Sequence, residues 1–149
     1  MPQFDGVVMK MKKIAKYGVF LLVVLIIAAF LLVNPVKSRE QIAEVNLFTE
    51  EGTPISLNLS KDQEREILQI ASRCFCVRKL ISTKSEYSGP GVCHVRTENR
   101  SLFFETEAEK TVIHTYRYSG NIFTDGEWML YPTEAQYESI LRILESAVY

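Results

Sequence analysis

The block "YGVFLLVVLIIAAFLLV", Tyr17 to Val33, constrains this chain more than any other stretch. It carries no charge, and as a helix at ~1.5 Å per residue it spans roughly 25 Å. A bilayer core is ~30 Å thick. Ile14 and Ala15, with the Lys16 amine snorkelling to the surface, close that gap. Asn34-Pro35 then ends the helix. The block has no polar face to meet water, which speaks against a core helix of a soluble fold. A cleaved signal peptide would have an apolar region of ~7–15 residues and a small-x-small cleavage site. "LLVNPVKS" offers no such site, and no cysteine near it marks lipoprotein-type processing. Residues 14–33 therefore read as an uncleaved signal anchor whose partner is the lipid bilayer.

Lysines set the orientation. Lys10, Lys12, Lys13 and Lys16 precede the span, and only Lys37 and Arg39 follow it closely. The positive side stays in the cytoplasm, so residues 1–13 are expected there and the C-terminal part outside a single-pass cell membrane. "MKKIAKYGVFLL", beginning at Met11, looks like a bacterial export start. The first ten residues read either as lying upstream of the true start or as a short disordered tail.

After Val33 the chain has 13 basic and 17 acidic residues, a net charge of −4 without histidines. Nucleic acid or an anionic lipid surface as the main partner would call for a basic face, so neither is expected. Residues 34–42, "NPVKSREQI", read as a polar juxtamembrane linker. The folded extracytoplasmic domain is expected over residues 43–149, long enough to bury a core of its own.

Periodicity supplies its elements. Val45 and Leu47 alternate in "EVNLF", Ile55, Leu57 and Leu59 alternate in "PISLNL", and Gly52 sits in the turn between them, a hairpin pattern. Ser60 and Gln63 form a capping box before a helix with Ile67, Ile70, Ala71 and Cys74 on its apolar stripe. Four more strand-like runs follow: "FCVRKLIS", "VCHVRT", "LFFETEA" and "TVIHTYRY". A short "IF", a "TDGE" turn and a last strand "WMLY" come next. Thr133 and Gln136 repeat the capping box ahead of a closing helix with Tyr137, Ile140, Leu141, Leu144 and Val148 on one stripe. The two helix starts are alike, but the flanking strands differ, so two junctions solved the same way explain them better than a duplication. The order is ββ-α-β(4–6)-α: an α+β domain with an antiparallel sheet and two helices packed on one face.

The ending "YRYSGNIFTDGEWMLYPTEAQYESILRIL" resembles the tail of small exported domains in uncharacterised membrane-anchored and lipoprotein-type proteins of Gram-positive bacteria. There, strands and a tight turn lead into a Trp/Tyr-containing strand and a closing helix. The resemblance implies an export-linked α+β domain and no activity, and it carries over no functional residue.

The chemistry-bearing residues are few. Outside the cytoplasm a disulfide can form. Cys76–Cys93, or else Cys74–Cys93, would tie the helix-to-strand junction "RCFCVR" to "GVCHVR". Buried free thiols are the next reading, and an odd count leaves at least one thiol over in either case. A metal site would need Cys74, Cys76, Cys93 and His94 or His114 to converge, but C-x-C lacks the usual C-x2–4-C spacing. Redox chemistry is disfavoured because Cys74 falls at a helix C-terminus, where the dipole opposes the thiolate. His94 and His114 read as strand histidines without a nucleophile partner. Glu105, Glu107 and Glu109 alternate along one strand face with Phe103 and read as solvated. Tyr116, Tyr118, Phe123, Trp128 and Tyr131 cluster in the C-terminal strands; most should be core, and if the sheet's second face is open, some of them form the candidate recognition patch. No H-E-x-x-H, G-x-S-x-G or phosphate-loop pattern occurs. Asn58-Leu59-Ser60 and Asn99-Arg100-Ser101 match the glycosylation pattern, which is without meaning in a bacterium. No cofactor is expected. The chain reads as a non-enzymatic accessory or binding domain that contacts another exported or membrane protein, with a metal or thiol-redox protein using the cysteines as the alternative.

Overall fold

A computed structural model describes residues 3–79, 91–105, 111–117 and 127–148. The chain divides into two units, Met1–Leu32 and Val33–Tyr149. The first is one helix, α1, Gln3–Leu32. Residues 3–10 belong to it, so they are not the irregular tail that was one reading of the segment before Met11. From Gly6 to Leu32 it has a mean hydropathy of 2.6 and none of it is buried. It is long and apolar enough to cross a membrane, at roughly 1.5 Å per residue.

The second unit is α+β. In chain order it holds β1 (Ile42–Phe48), β2 (Pro54–Ser56), α2 (Lys61–Arg73), β3 (Phe75–Lys79), β4 (Val92–Thr97), β5 (Arg100–Glu105), β6 (Ile113–Arg117), β7 (Glu127–Tyr131) and α3 (Glu134–Val148). The strands form one seven-stranded sheet, order β2-β1-β4-β5-β6-β7-β3. Every neighbouring pair is antiparallel. The β1–β2 turn closes through the Gly52 amide onto the Thr49 carbonyl at 2.9 Å. Gly52 has φ +77°, a left-handed conformation that costs a residue without a Cβ nothing.

Both capping boxes form. The Ser60 amide donates to Gln63 Oε1 at 2.8 Å, and Gln63 donates back to Ser60 Oγ at 3.3 Å. Thr133 and Gln136 repeat these bonds at 2.8 and 3.3 Å. Each box satisfies two amides that a helix start leaves without partners. α2 buries Ile67, Leu68 and Ala71, with Ile70 half-buried. α3 buries Tyr137, Ile140, Ile143 and Leu144. Val148, expected on that stripe, is half exposed, and Ile143 takes its place. The start of α2 meets the end of α3 through Gln63 Nε2, which donates to Ser146 Oγ at 2.9 Å.

Both helix stripes share one core with Val45, Cys76, Cys93, Val95, Leu102, Phe104, Ile113, Trp128 and Leu130. Strand register places these residues on one sheet face: Cys93 lies opposite Phe104, Phe104 opposite Ile113, Ile113 opposite Leu130, and Leu130 opposite Cys76. The other face carries Glu44, Asn46, His94, Arg96, Ser101, Phe103, His114, Tyr116, Glu127, Met129 and Tyr131, by the period of two along each strand. β5 is closed on both sides: Ser101 and Phe103 are buried on the outer face, Leu102 and Phe104 on the inner.

The linker expected over residues 34–42 is part of the domain. Asn34 Nδ2 donates to the carbonyls of Ala71 and Cys74 at 2.8 and 3.0 Å, and its Oδ1 accepts from the Val36 amide at 2.9 Å. It thereby caps the C-terminus of α2, where carbonyls lack helical partners. Val36 is buried in the core, and Ile42 opens β1. Residues 38–41 then line a groove with Lys61, Glu64, Arg65, Leu68 and Gln69, so this segment runs back along α2.

Candidate functional site

The cysteines do not assemble. Cys74 caps α2, Cys76 lies on β3 opposite Leu130, and Cys93 lies on β4 between Leu47 and Phe104. Strands β5, β6 and β7 stand between β4 and β3. Four strand spacings amount to roughly 19 Å along the sheet, whereas a disulfide needs Cα atoms within about 7 Å. The expected Cys76–Cys93 bridge is therefore corrected, and Cys74–Cys93 with it: all three cysteines are buried and none is joined in a disulfide. The reason is the strand order. The segment after α2 pairs with β7 at the sheet edge and leaves the middle to β4, β5 and β6.

The metal set disperses for the same reason. His94, next to Cys93, points to the opposite face. Among the described residues no group of three His, Cys, Asp or Glu side chains can hold an ion. Burial pushes the Cys74 thiol up to about 11, with a smaller contribution from Cys76, and pushes Cys93 up to about 12. Cys76 is raised by burial as well. Cys74 Sγ also lies 3.2 Å from the Ile70 carbonyl, a helical back-bond that keeps the proton on sulfur. Thiolate is the nucleophile, so these groups are built to be inert. Alkylation of the folded protein at pH 8 should therefore be slow at all three positions. In denaturant, three thiols should react whether or not the sample was reduced first. One reactive thiol before reduction and three after would reinstate a disulfide.

The outer face carries the polar chemistry. The His94 ring stacks on Phe103 with centroids 4.5 Å apart, and Phe103 stacks on Tyr116 at 5.2 Å, a three-ring row across β4, β5 and β6. His94 Nε2 sits 3.0 Å from Ser101 Oγ. Burial lowers the pKa of His94, with Arg96 adding to that and Glu44 opposing it. Glu44 accepts from Arg96 at 2.7 Å and from Asn46 at 2.6 Å. The Asn46 bond, with smaller help from the Arg96 charge, holds its carboxyl below the usual range against the opposing effect of desolvation. A hydroxyl beside an imidazole is the start of a nucleophile–base pair. Here Ser101 is only 2% exposed and the imidazole is stacked flat on Phe103, so the pair is a satisfied element of the sheet face.

Glu127 anchors the far side. Its carboxylate is buried, with Lys79 Nζ at 3.2 Å and His114 Nδ1 at 2.9 Å. Removing one partner of a buried ion pair costs about 3–5 kcal/mol. Lys79 is about a third exposed, so solvent already screens part of this one. Glu127→Ala should lower stability by roughly 2 kcal/mol in urea unfolding, and Glu127→Gln by less. A midpoint unchanged in Glu127→Ala would show that the network contributes nothing.

Compared with known family models, curated proteins and solved structures, the chain matches none. Its own geometry therefore carries the functional reading.

Of the candidate aromatic residues, the described ones, Tyr116, Trp128 and Tyr131, do not share one face of the sheet. Tyr116 is on the outer face, and burial, with the Glu127 charge adding to it, raises its pKa. Trp128 points into the core, with the Arg78 guanidinium 5.5 Å from its ring. Tyr131 is on the outer face at the end of β7. Tyr118, Phe123, Glu107 and Glu109 lie outside the described residues. Period-two parity separates Trp128 from Tyr131, which stands three residues on. Phe75 was missed altogether. It is 60% exposed and its ring lies 6.2 Å from that of Tyr131, its cross-strand partner. Its signal was present in "CFC": two buried neighbours at i−1 and i+1 in an extended run turn the middle side chain outward.

Proposed function

We propose that this chain is a membrane-tethered, non-catalytic binding domain. Residues 14–33 cross the bilayer, residues 1–13 stay in the cytoplasm, and the domain works outside, in the manner of the exported domains of Gram-positive bacteria that its C-terminal third resembles. The observation that carries the reading is α1: an apolar helix from Gly6 to Leu32, none of it buried, joined to a unit with a complete core of its own. Such a helix needs a solvent other than water. The domain then presents the outer sheet face, on which His94 and Tyr116 are half-exposed on either side of the buried Phe103, to another exported or membrane protein. The thiol-redox alternative loses its support with the dispersal of the cysteines. Proximity labelling from a tag at the C-terminus, against the same tag at the N-terminus, tests this. The reading expects exported and membrane proteins enriched by the C-terminal tag alone. Cytoplasmic proteins labelled equally by both would overturn the topology, and no enrichment over background would overturn the binding role.

A further inference from the structure

Among the described residues outside α1, exposed large apolar side chains are scattered singly, Ile55 on β2 and Val148 on α3 among them, with one exception. Phe75 and Tyr131 stand exposed at 60% and 39%, paired across β3 and β7 on the outer face. Behind them the half-buried pair Val77 and Met129 continues the apolar surface inward.

The place of this pair in the chain is what identifies its occupant. Asn34 hydrogen-bonds the carbonyl of Cys74, the residue before Phe75. Asn34 also follows Leu32, the last residue of α1, by only two positions. At ~3.3–3.6 Å per extended residue the tether from the apolar helix to this fixed point of the domain is about 7 Å long. The tether has no slack to carry this corner of the domain far from where the helix leaves the bilayer. Two cations flank it: Arg73 in the last turn of α2 and Lys37 beyond Asn34, both exposed.

We propose that Phe75 and Tyr131 seat the domain on the phospholipid interface beside its own tether, resting on the anchor reading above. Aromatic rings with an apolar body favour the headgroup level of a bilayer, and Tyr places its hydroxyl in the wet layer above. The neighbouring cations meet lipid phosphates there. Seated in this way, the domain is held at a fixed orientation, and the rest of the outer face is turned in a fixed direction for its partner.

The test uses the full chain in vesicles of phosphatidylcholine and phosphatidylglycerol, carrying phospholipids brominated near the headgroup or deep in the acyl chains. Four variants each add a tryptophan to the buried Trp128: Phe75→Trp, Tyr131→Trp, Ile55→Trp and Val24→Trp. The expected result is deep quenching at Val24→Trp and shallow quenching at Phe75→Trp and Tyr131→Trp about threefold above that at Ile55→Trp, as for interfacial aromatics. Deep quenching at Val24→Trp, with Phe75→Trp and Tyr131→Trp no more quenched than Ile55→Trp, overturns the inference and leaves the anchor standing. The same holds if their emission is blue-shifted but insensitive to bromine, which marks a protein contact. No quenching at Val24→Trp overturns the anchor, and the inference falls with it.

Discussion

A fragment cut at Ala43 should lose most of its stability, while one cut at Val33 should unfold in a single cooperative transition. The difference lies in ten residues whose composition is that of a linker. The longer fragment keeps the buried Val36 and Ile42 side chains. Each contributes about 1.5–3 kcal/mol when fully buried, and somewhat less against a compact unfolded chain. It also keeps the three Asn34 hydrogen bonds, and the bond at 2.6 Å from Thr97 Oγ1 to Glu40 Oε2. Hydrogen bonds of this kind add about 1 kcal/mol apiece. The whole amounts to roughly 6 kcal/mol, against a total of ~5–15 kcal/mol for an ordinary domain. With a urea dependence of ~1–3 kcal/mol per molar, the midpoint should fall by about 2–6 M. Trp128, buried in the core, reports the transition by fluorescence. Equal midpoints for the two fragments would mean that residues 33–42 are a linker after all.

That segment shows where the sequence was opaque. Local periodicity made the β1–β2 hairpin, both capped helices and the strands from β3 to β7 legible, because each of those signals lies within a few residues of its cause. Asn34 acts through carbonyls at positions 71 and 74, and no local pattern announces a side chain that caps a helix some forty residues away. Strand order was hidden for the same reason. "FCVRK" and "VCHVR" look like neighbours in sequence, yet β3 pairs with β7 and stands at the far side of the sheet from β4. The disulfide expectation failed on that one point. Which candidate aromatics are core was legible in part: Trp128 and Tyr131 are an odd number of positions apart, so one strand cannot show both on the same face. The exposed pair that does form joins Tyr131 to Phe75, and only the β3–β7 register brings those two together.

Of two adjacent phenylalanines in β5, Phe104 should cost far more than Phe103 when cut to alanine. Phe104 is fully buried on the helix-covered face, with Cys93 and Ile113 opposite it on either side, each at 0% exposure. The buried stripes of both helices belong to the same core, and a phenyl removed there leaves a cavity. Phe→Ala at such a site costs about 3–5 kcal/mol, from lost transfer energy plus the cavity. Phe103 sits on the outer face between His94 and Tyr116. Its loss gives up part of its buried area and two ring contacts, the latter worth about 0.5–1.5 kcal/mol each at most, but its neighbours His94 and Tyr116 are half-exposed, so the flanking rings or water can relax into the gap. Phe103→Ala should therefore cost roughly 2 kcal/mol, and His94 should titrate closer to an ordinary histidine once the ring that buries it is gone. Urea midpoints of the two variants, with a histidine titration followed by NMR in the second, decide the matter. Equal losses would mean that the outer face is as much a core as the inner one. The division of the sheet into a packed face and a presenting face would then have to be given up.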